Sequence, residues 1–247
     1  MSELSESVIM RFAGKKVFIT GTSRGIGLAI AQAFRAEGAW VIGTCTCKNN
    51  EMDDVCQEMV VADFSDSAQI MACADCVRHA EPDVLVNNAG INKIAPFVEI
   101  NPDDFLSIQQ VNVFAPFLLC QAAIPAMKRK GWGRIVNVSS IWGKISKENR
   151  AAYSASKFAL DGMTLALAAE HSVDGIVANC IAPGFVDTEL TKRVLGEEGI
   201  RSVVSGVPTH RLAQVDEIAR LVLWLASEEN TYLTGQNIAI DGGFCRV

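Results

Sequence analysis

Short apolar runs recur along the chain, each followed by a stretch whose apolar positions return at helical spacing. The runs at Val17–Thr20, Trp40–Thr44, Met59–Ala62, Val84–Val86, Arg134–Val138, Ile176–Ala182 and Asn237–Ile240 predict seven strands. The intervals Ile26–Glu37, Ser67–Arg78, Pro102–Lys130, Ala151–His171 and Val215–Ala226 predict helices. Strands that are apolar throughout, alternating with helices, indicate a parallel sheet covered on both faces. No linker, repeat or low-complexity segment interrupts the pattern, so the expectation is an α/β fold: one doubly wound domain over residues 1–247. The one long stretch lacking a strand before the last helix, 184–212, follows a strand's carboxyl end. Ligands bind on that edge of open α/β sheets, which makes the segment a candidate lid.

Composition narrows the classes. Hydrophobic residues make up 49% of 247, and the mean hydropathy is +0.22, so the chain has apolar surface to bury between layers or subunits. The net charge of −6 argues against an electrostatic nucleic-acid binder. The greasiest window, 111–127, is broken by Asn112, Pro116, Gln121 and Pro125, and falls short of the ~20 apolar residues of a bilayer span. The first ten residues lack the basic flank and apolar run of a secretory signal, which predicts a cytoplasmic protein with reduced thiols. The eight cysteines then read as packing residues. Cys73, Cys76 and His79 have ligand-like spacing, but they lie within a predicted helix and no second pair completes a set, so no metal is expected.

The first strand runs into Thr20-Gly21-Thr22-Ser23-Arg24-Gly25-Ile26-Gly27, and a helix follows. Glycines there let the backbone turn tightly and approach a pyrophosphate, whose charge meets the helix N-terminus. The first strand-to-helix crossing of an alternating chain is the context this motif requires. The second strand ends at Thr44-Cys45-Thr46-Cys47-Lys48, with no carboxylate to grip a ribose 2′-hydroxyl. Thr46, Arg24 and Lys48 would instead favour a 2′-phosphate, so NADP(H) is the expected cofactor and NAD(H) the alternative.

Tyr153 and Lys157 stand at i,i+4 spacing at the start of a helix, on one face. A neighbouring ammonium favours phenolate, and a tyrosine so placed can exchange a proton with a carbonyl or alcohol oxygen. Ser140, at the end of the fifth strand, is placed to hydrogen-bond the same oxygen.

These motifs, with Asn87-Asn88-Ala89-Gly90, Asn112, Val138-Ser139-Ser140, Pro183-Gly184 and Asp241-Gly242-Gly243, resemble the short-chain dehydrogenase/reductase family along essentially the whole chain. The resemblance implies a Rossmann-type sheet of seven parallel strands. It implies Tyr153 as acid/base, Ser140 as the group that polarises the substrate oxygen, and Lys157 as ribose ligand and depressor of the tyrosine pKa. Asn112 would hold a water that links Lys157 to solvent. Asp63 and Phe64 would contact adenine, and Asn88 and Gly90 would line the cofactor trough. Pro183, Gly184, Val186 and Thr188 would touch the nicotinamide amide, whereas Asn87 would tie neighbouring strand ends. Tetramers of two-fold symmetry are common in the family. Phe114, Phe117, Leu118, Phe158, Met163 and Leu167, then Leu221, Trp224 and Phe244, offer the apolar material for a homotetramer.

Within the family the likeness is nearest to β-ketoacyl-acyl-carrier-protein reductases, through Gly43-Thr44-x-Thr46, Pro183-Gly184-Phe185-x-x-Thr188 and the Asp241 tail. There are departures. Sixteen residues separate Thr46 from Asp63, and sixteen separate Asp66 from Asp83, intervals short enough to cut down one helix and shorten the next. Asp174 and Gly131 stand at positions that are often basic in those reductases. The expected substrate is therefore a small polar metabolite bearing a ketone or secondary hydroxyl, with a β-ketoacyl thioester as the alternative. A nucleotide sensor without chemistry is the remote reading, since all four catalytic residues are present. The pocket is expected to be walled by Asn92, Lys93 and Ile94, by Trp142 and Lys144, and by the lid from Thr188 to Arg211. Trp142 would offer a flat face to substrate, while Lys93, Lys144, Lys192 and Arg193 would add positive charge at the mouth.

Overall fold

The computed structural model describes residues 10–47 and 54–246. Seven strands form one parallel sheet: β1 (Lys16–Ile19), β2 (Trp40–Cys45), β3 (Glu58–Val61), β4 (Val84–Asn87), β5 (Gly133–Val138), β6 (Ile176–Pro183) and β7 (Asn237–Ile240). Their spatial order is β3-β2-β1-β4-β5-β6-β7. The order reverses between β1 and β4, whose carboxyl ends open the crevice where ligands bind in such sheets.

Alternation within each strand feeds two cores. Val17 and Ile19 face a layer built by α1 (Gly25–Ala36) and α7 (Val215–Ala226), while Phe18 faces the opposite layer. Val84 and Val86 against Leu85, and Val136 against Ile135, repeat the division. The second layer contains α2 (Ser67–Ala80) and α4 (Ala115–Lys130), with Ile70, Val77, Leu119 and Met127 fully buried. Each such side chain contributes roughly 1.5–3 kcal/mol by leaving water. Among the described residues no helix joins β2 to β3, in keeping with the short interval there.

The stretch expected as one helix over Pro102–Lys130 contains an interruption. It comprises α3 (Pro102–Gln109), a π-turn at Gln110–Phe114, and α4. Pro116 supplies the reason, because its ring would clash with the carbonyl of Asn112 in a regular α-helix and it has no N–H to donate. The whole stretch is helical over 29 residues and apolar enough on average to cross a bilayer, yet 56% of its most apolar window is buried inside the protein.

Helix α5 (Ala151–His171) lies against β5 and β6, and a buried polar string sets its position. Asn87 Nδ2 donates to Asn137 Oδ1 at 2.8 Å, Asn137 Nδ2 to Thr164 Oγ1 at 2.8 Å, and Thr164 Oγ1 to the Leu160 carbonyl at 2.8 Å. The string joins β4, β5 and α5, so the helix bearing Tyr153 and Lys157 is held in register with the strand ends. The strandless segment expected as a lid contains a helix, α6 (Glu189–Ser205), kinked at Gly196, where φ is 62°. None of its side chains is fully buried.

Candidate active site

The loop after β1 is folded around its glycines. Gly21 has φ 71°, and Gly21 N–H donates to Thr44 Oγ1 at 3.0 Å. A Cβ on Gly27 would overlap the Gly21 carbonyl and the Asn88 amide, so only glycine fits there. Asn88 Nδ2 donates to the carbonyls of Thr20 and Gly21, each at 3.0 Å. Both of its amide hydrogens thus hold the cradle. Ser23 and Arg24 are exposed at the mouth of the cradle, as is Thr46 at the end of β2, and Ile26 packs into the core. No described residue forms an ion pair with Arg24. Lys48 lies outside the described residues.

On the adenine side, Asp63 Oδ1 accepts from Ser65 N–H at 2.9 Å and from Ser65 Oγ at 2.7 Å, shaping the turn after β3. The Phe64 side chain is buried in the core, which leaves only its main chain for a ligand. Val186 differs from expectation in the same way. It pairs as a bridge with Ala213 and its side chain joins the core. Pro183 ends β6, and a Cβ on Gly184 would press on Asp241 Cα at 2.8 Å. Thr188 caps α6 and reaches to 3.6 Å from where a Gly25 side chain would begin, so the lid starts over the cradle.

Lys157 is buried, and Lys157 Nζ donates to the Val138 carbonyl at 2.8 Å. Burial pushes the ammonium down to about 8. Asn112 Nδ2 donates to the Ile91 carbonyl at 2.9 Å and to Ser156 Oγ at 3.0 Å, and Asn112 Oδ1 accepts from Ile91 N–H at 2.9 Å. Both amide hydrogens of Asn112 are therefore engaged, while Oδ1 keeps one acceptor site. The Asn112 carbonyl receives no N–H from Pro116. A Cβ on Gly90 would come within 3.3 Å of Asn112 Oδ1 and 3.6 Å of Lys157 Nζ, so the β4 loop passes close to both.

Tyr153 is partly exposed beside Ser140, whose Oγ accepts from Trp142 N–H at 3.2 Å. Burial raises the phenol above its ordinary value, and the Ser140 hydroxyl and the Arg150 charge oppose that rise. The expected depression by Lys157 is not what the geometry produces. The ammonium sits 5.6 Å from the Tyr153 ring centroid and is tied to Val138. Arg150 is instead the cation that acts on the phenol. Neither the glycine pattern nor the Tyr-Lys spacing pointed to this residue. The available signal was a cation at the N-cap of a helix, where the dipole disfavours it.

Two expectations for the pocket wall need correction. Trp142 is not an open platform: it is 8% exposed and packs edge-on against Phe185 and Phe244, with centroids 6.4 and 6.3 Å away. This aromatic trio forms because the 3-10 turn Ile141–Gly143 folds the indole inward after Ser140. Lys93 pairs with Asp104, Lys192 with Asp187 at 2.9 Å, and Lys144 Nζ donates to the Asn237 carbonyl at 2.7 Å. Cys73 is buried in the core while Cys76 is exposed, so the two do not face one site.

Comparison with known proteins identifies the arrangement. Residues 21–245 match the family model described as enoyl-(acyl carrier protein) reductase. The chain is 36% identical over 245 residues to the 3-oxoacyl-[acyl-carrier-protein] reductase of Salmonella typhimurium, covering 96% of this chain and all of that one. The Thermotoga maritima protein of the same name is 37% identical over 245 residues, covering 95% and 99%. The chain belongs to the short-chain dehydrogenase/reductase family. Among solved structures, a Beutenbergia cavernae protein proposed to be an NAD(P)-dependent gluconate 5-dehydrogenase, with NADP bound at low occupancy, superposes with a TM-score of 0.91. It is 33% identical and covers 97% of this chain and all of that one. A gluconate 5-dehydrogenase from Burkholderia cenocepacia, in complex with NADP and tartrate, gives 0.87 at 31% identity, covering 97% and 98%. The protein is accordingly an oxidoreductase. Its cradle after β1, its Gly90 loop after β4, its Ser140 after β5 and its Pro183–Thr188 segment after β6 meet at one edge of the sheet.

Proposed function

We propose that this short-chain dehydrogenase/reductase is a cytoplasmic, NADP(H)-dependent enzyme that interconverts a ketone and a secondary alcohol on a small polar metabolite free in solution. The residues fit the cofactor. Gly27 lets the loop after β1 pack closely on the start of α1, and exposed Arg24 and Thr46 stand at a β2 end that has no carboxylate. When bound, the nicotinamide supplies or accepts the hydride. Tyr153 gives a proton to the carbonyl oxygen or takes one from the alcohol, and Ser140 holds that oxygen by a hydrogen bond. Lys157 holds the ribose, and Asn112 keeps the water through which the proton is replaced. The 184–212 segment serves as lid. Its two ends are joined where Asp187 N–H donates to the Ala213 carbonyl at 2.8 Å and Ala213 N–H to the Phe185 carbonyl at 2.9 Å.

The observation that favours a free metabolite lies at the end of α4. Lys128 pairs with Asp174 at 3.0 Å, Arg129 with Glu81 at 2.5 Å and Lys130 with Asp83 at 2.8 Å. The basic cluster is neutralised by this chain's own carboxylates, so an acidic carrier protein would find little net charge to dock on. The 33–37% identity to carrier-protein reductases over nearly the full chain favours a second reading, reduction of a 3-oxoacyl thioester. A screen of NADPH oxidation with keto-sugars, keto-acids and acetoacetyl thioesters decides between them. Turnover of polar ketones is expected, and turnover restricted to thioesters overturns the first reading.

A further inference from the structure

We propose that Arg150 is the seat of a substrate carboxylate, so that the enzyme selects keto acids and hydroxy acids over neutral ketones and alcohols. The inference rests on the free-metabolite reading above and narrows it. Arg150 is the residue immediately before α5, three positions ahead of Tyr153, which places the two one helical turn apart. Asn149 delivers it there by adopting the left-handed conformation, with φ 66°. The guanidinium lies over the Trp142 ring, 5.7 Å from its centroid, on the same aromatic wall that follows Ser140.

No described residue accepts a hydrogen bond from its Nε, which is buried. No described residue forms an ion pair with Arg150, and Glu148, the carboxylate beside it in the chain, lies 3.5 Å from Lys147 instead. Three of the four other cations expected around the mouth differ in this respect, since Lys93, Lys144 and Lys192 already have partners. A guanidinium half-withdrawn from water remains charged, and an unmet donor on it is expensive. The first turn of α5 adds positive potential at the same place. A carboxylate that accepts from Nε and from a terminal nitrogen answers all three conditions at once, in the side-on bidentate geometry that guanidinium favours.

The position also bounds the ligand. A substrate whose reacting oxygen sits between Ser140 and Tyr153 would present its carboxylate only a few bonds further on. Short oxo acids and their hydroxy counterparts meet that requirement. An acyl thioester, uncharged at this distance from the ketone, does not.

The test measures NADPH-dependent reduction of acetoacetate and levulinate against their methyl esters, for the wild type, Arg150→Gln and Arg150→Lys. Fluorescence titration with NADPH shows that each variant holds cofactor. The ratio of kcat/KM for acid over ester should exceed one in the wild type and fall about 10- to 100-fold in Arg150→Gln, chiefly through KM. Arg150→Lys should keep part of the ratio, since charge remains but the fork is lost. A ratio unchanged in Arg150→Gln, or an ester preferred by the wild type, overturns the inference and leaves the free-metabolite reading standing. Turnover confined to acetoacetyl thioesters overturns that reading and the inference together. Should neither ketone be reduced, malonate and succinate binding to the NADP-loaded protein reads the same contact. A rise in Tm that is lost in Arg150→Gln supports the inference, and equal behaviour of the two proteins overturns it.

Discussion

Lys157 Nζ donates its 2.8 Å hydrogen bond to the carbonyl of Val138, two residues before Ser140, so one contact fixes helix α5 against the end of β5. The ammonium and the serine hydroxyl are thereby set relative to each other before any ligand arrives. Holding reacting groups in place in advance removes an entropic part of the barrier. The contact also keeps the ammonium away from the phenol, which is why burial and not Lys157 governs Tyr153 in the free protein.

Tyr153→Phe removes the proton carrier and little else, because the ring's packing is retained. Turnover should fall by about 10²- to 10⁴-fold, the usual worth of general acid/base catalysis. NADPH affinity, read by fluorescence titration, should stay nearly constant. A parallel loss of affinity and turnover would assign the residue a structural role instead.

Lys157 makes a pH-dependent contribution to stability whose sign follows from its depressed pKa. Below pH 8 it is charged in both folded and unfolded chains, and the folded protein bears the full cost of burying the charge. From about 8 up to the ordinary lysine value near 10.4, the folded chain sheds the proton while the unfolded chain keeps it, so stability rises with pH. Lys157→Met lacks this rise. Its stability relative to wild type, from urea unfolding without cofactor, should decline by about 3 kcal/mol between pH 7.5 and 10.5. A difference that does not vary with pH would refute the burial-driven shift.

The periodicity made the architecture legible because the central strands are apolar on both faces and the helices that pack on them on one. The glycines around Gly21 and Gly27, and the pair Tyr153 and Lys157, were legible because their chemistry depends on local spacing. What escaped the reading depends on distant packing. Trp142 has a sequence neighbourhood that suits a pocket wall, but Phe185 and Phe244 come from far along the chain to cover it. The π-turn at Gln110–Phe114 was implied by Pro116, yet a long apolar helical pattern concealed it. Helix α6 has no buried stripe, so its periodicity carried no signal. Arg150 was overlooked because a lone cation ahead of a helix ordinarily means solvated surface. Only the buried, unpartnered Nε distinguishes it.

Arg24 and Thr46 are both exposed, and β2 ends at Thr44-Cys45 without a carboxylate. The wild type should bind NADPH more tightly than NADH in nicotinamide fluorescence titrations. Arg24→Ala combined with Thr46→Ala should narrow that difference by about 1–3 kcal/mol, the scale of charge-assisted hydrogen bonds. A native preference for NADH would refute the assignment.

The apolar residues that the sequence offered for assembly divide into two groups, and the division makes assembly testable. Leu118, Leu167 and Leu221 turn inward onto the two cores, and Phe244 joins the wall around Trp142. Phe114, Phe117 and Phe158 remain 44%, 45% and 47% exposed, with the first two rings stacked at 6.5 Å. Phe114 and Phe117, with Val113 and Met163, border a shallow hollow of about 390 Å³ between the π-turn, α4 and α5. A monomer in water would leave this contiguous aromatic face uncovered, whereas a second copy related by a two-fold axis would cover it with the same residues. We expect a homotetramer, with this face forming one of its two interfaces. Phe117→Glu would place a charge at the centre of that interface and should reduce the mass found by light scattering at micromolar concentration. The same surface substitution should leave the folded protomer's circular dichroism unchanged. A wild type that is already a stable monomer would remove the basis for the assembly, and a tetramer indifferent to Phe117→Glu would move the interface elsewhere.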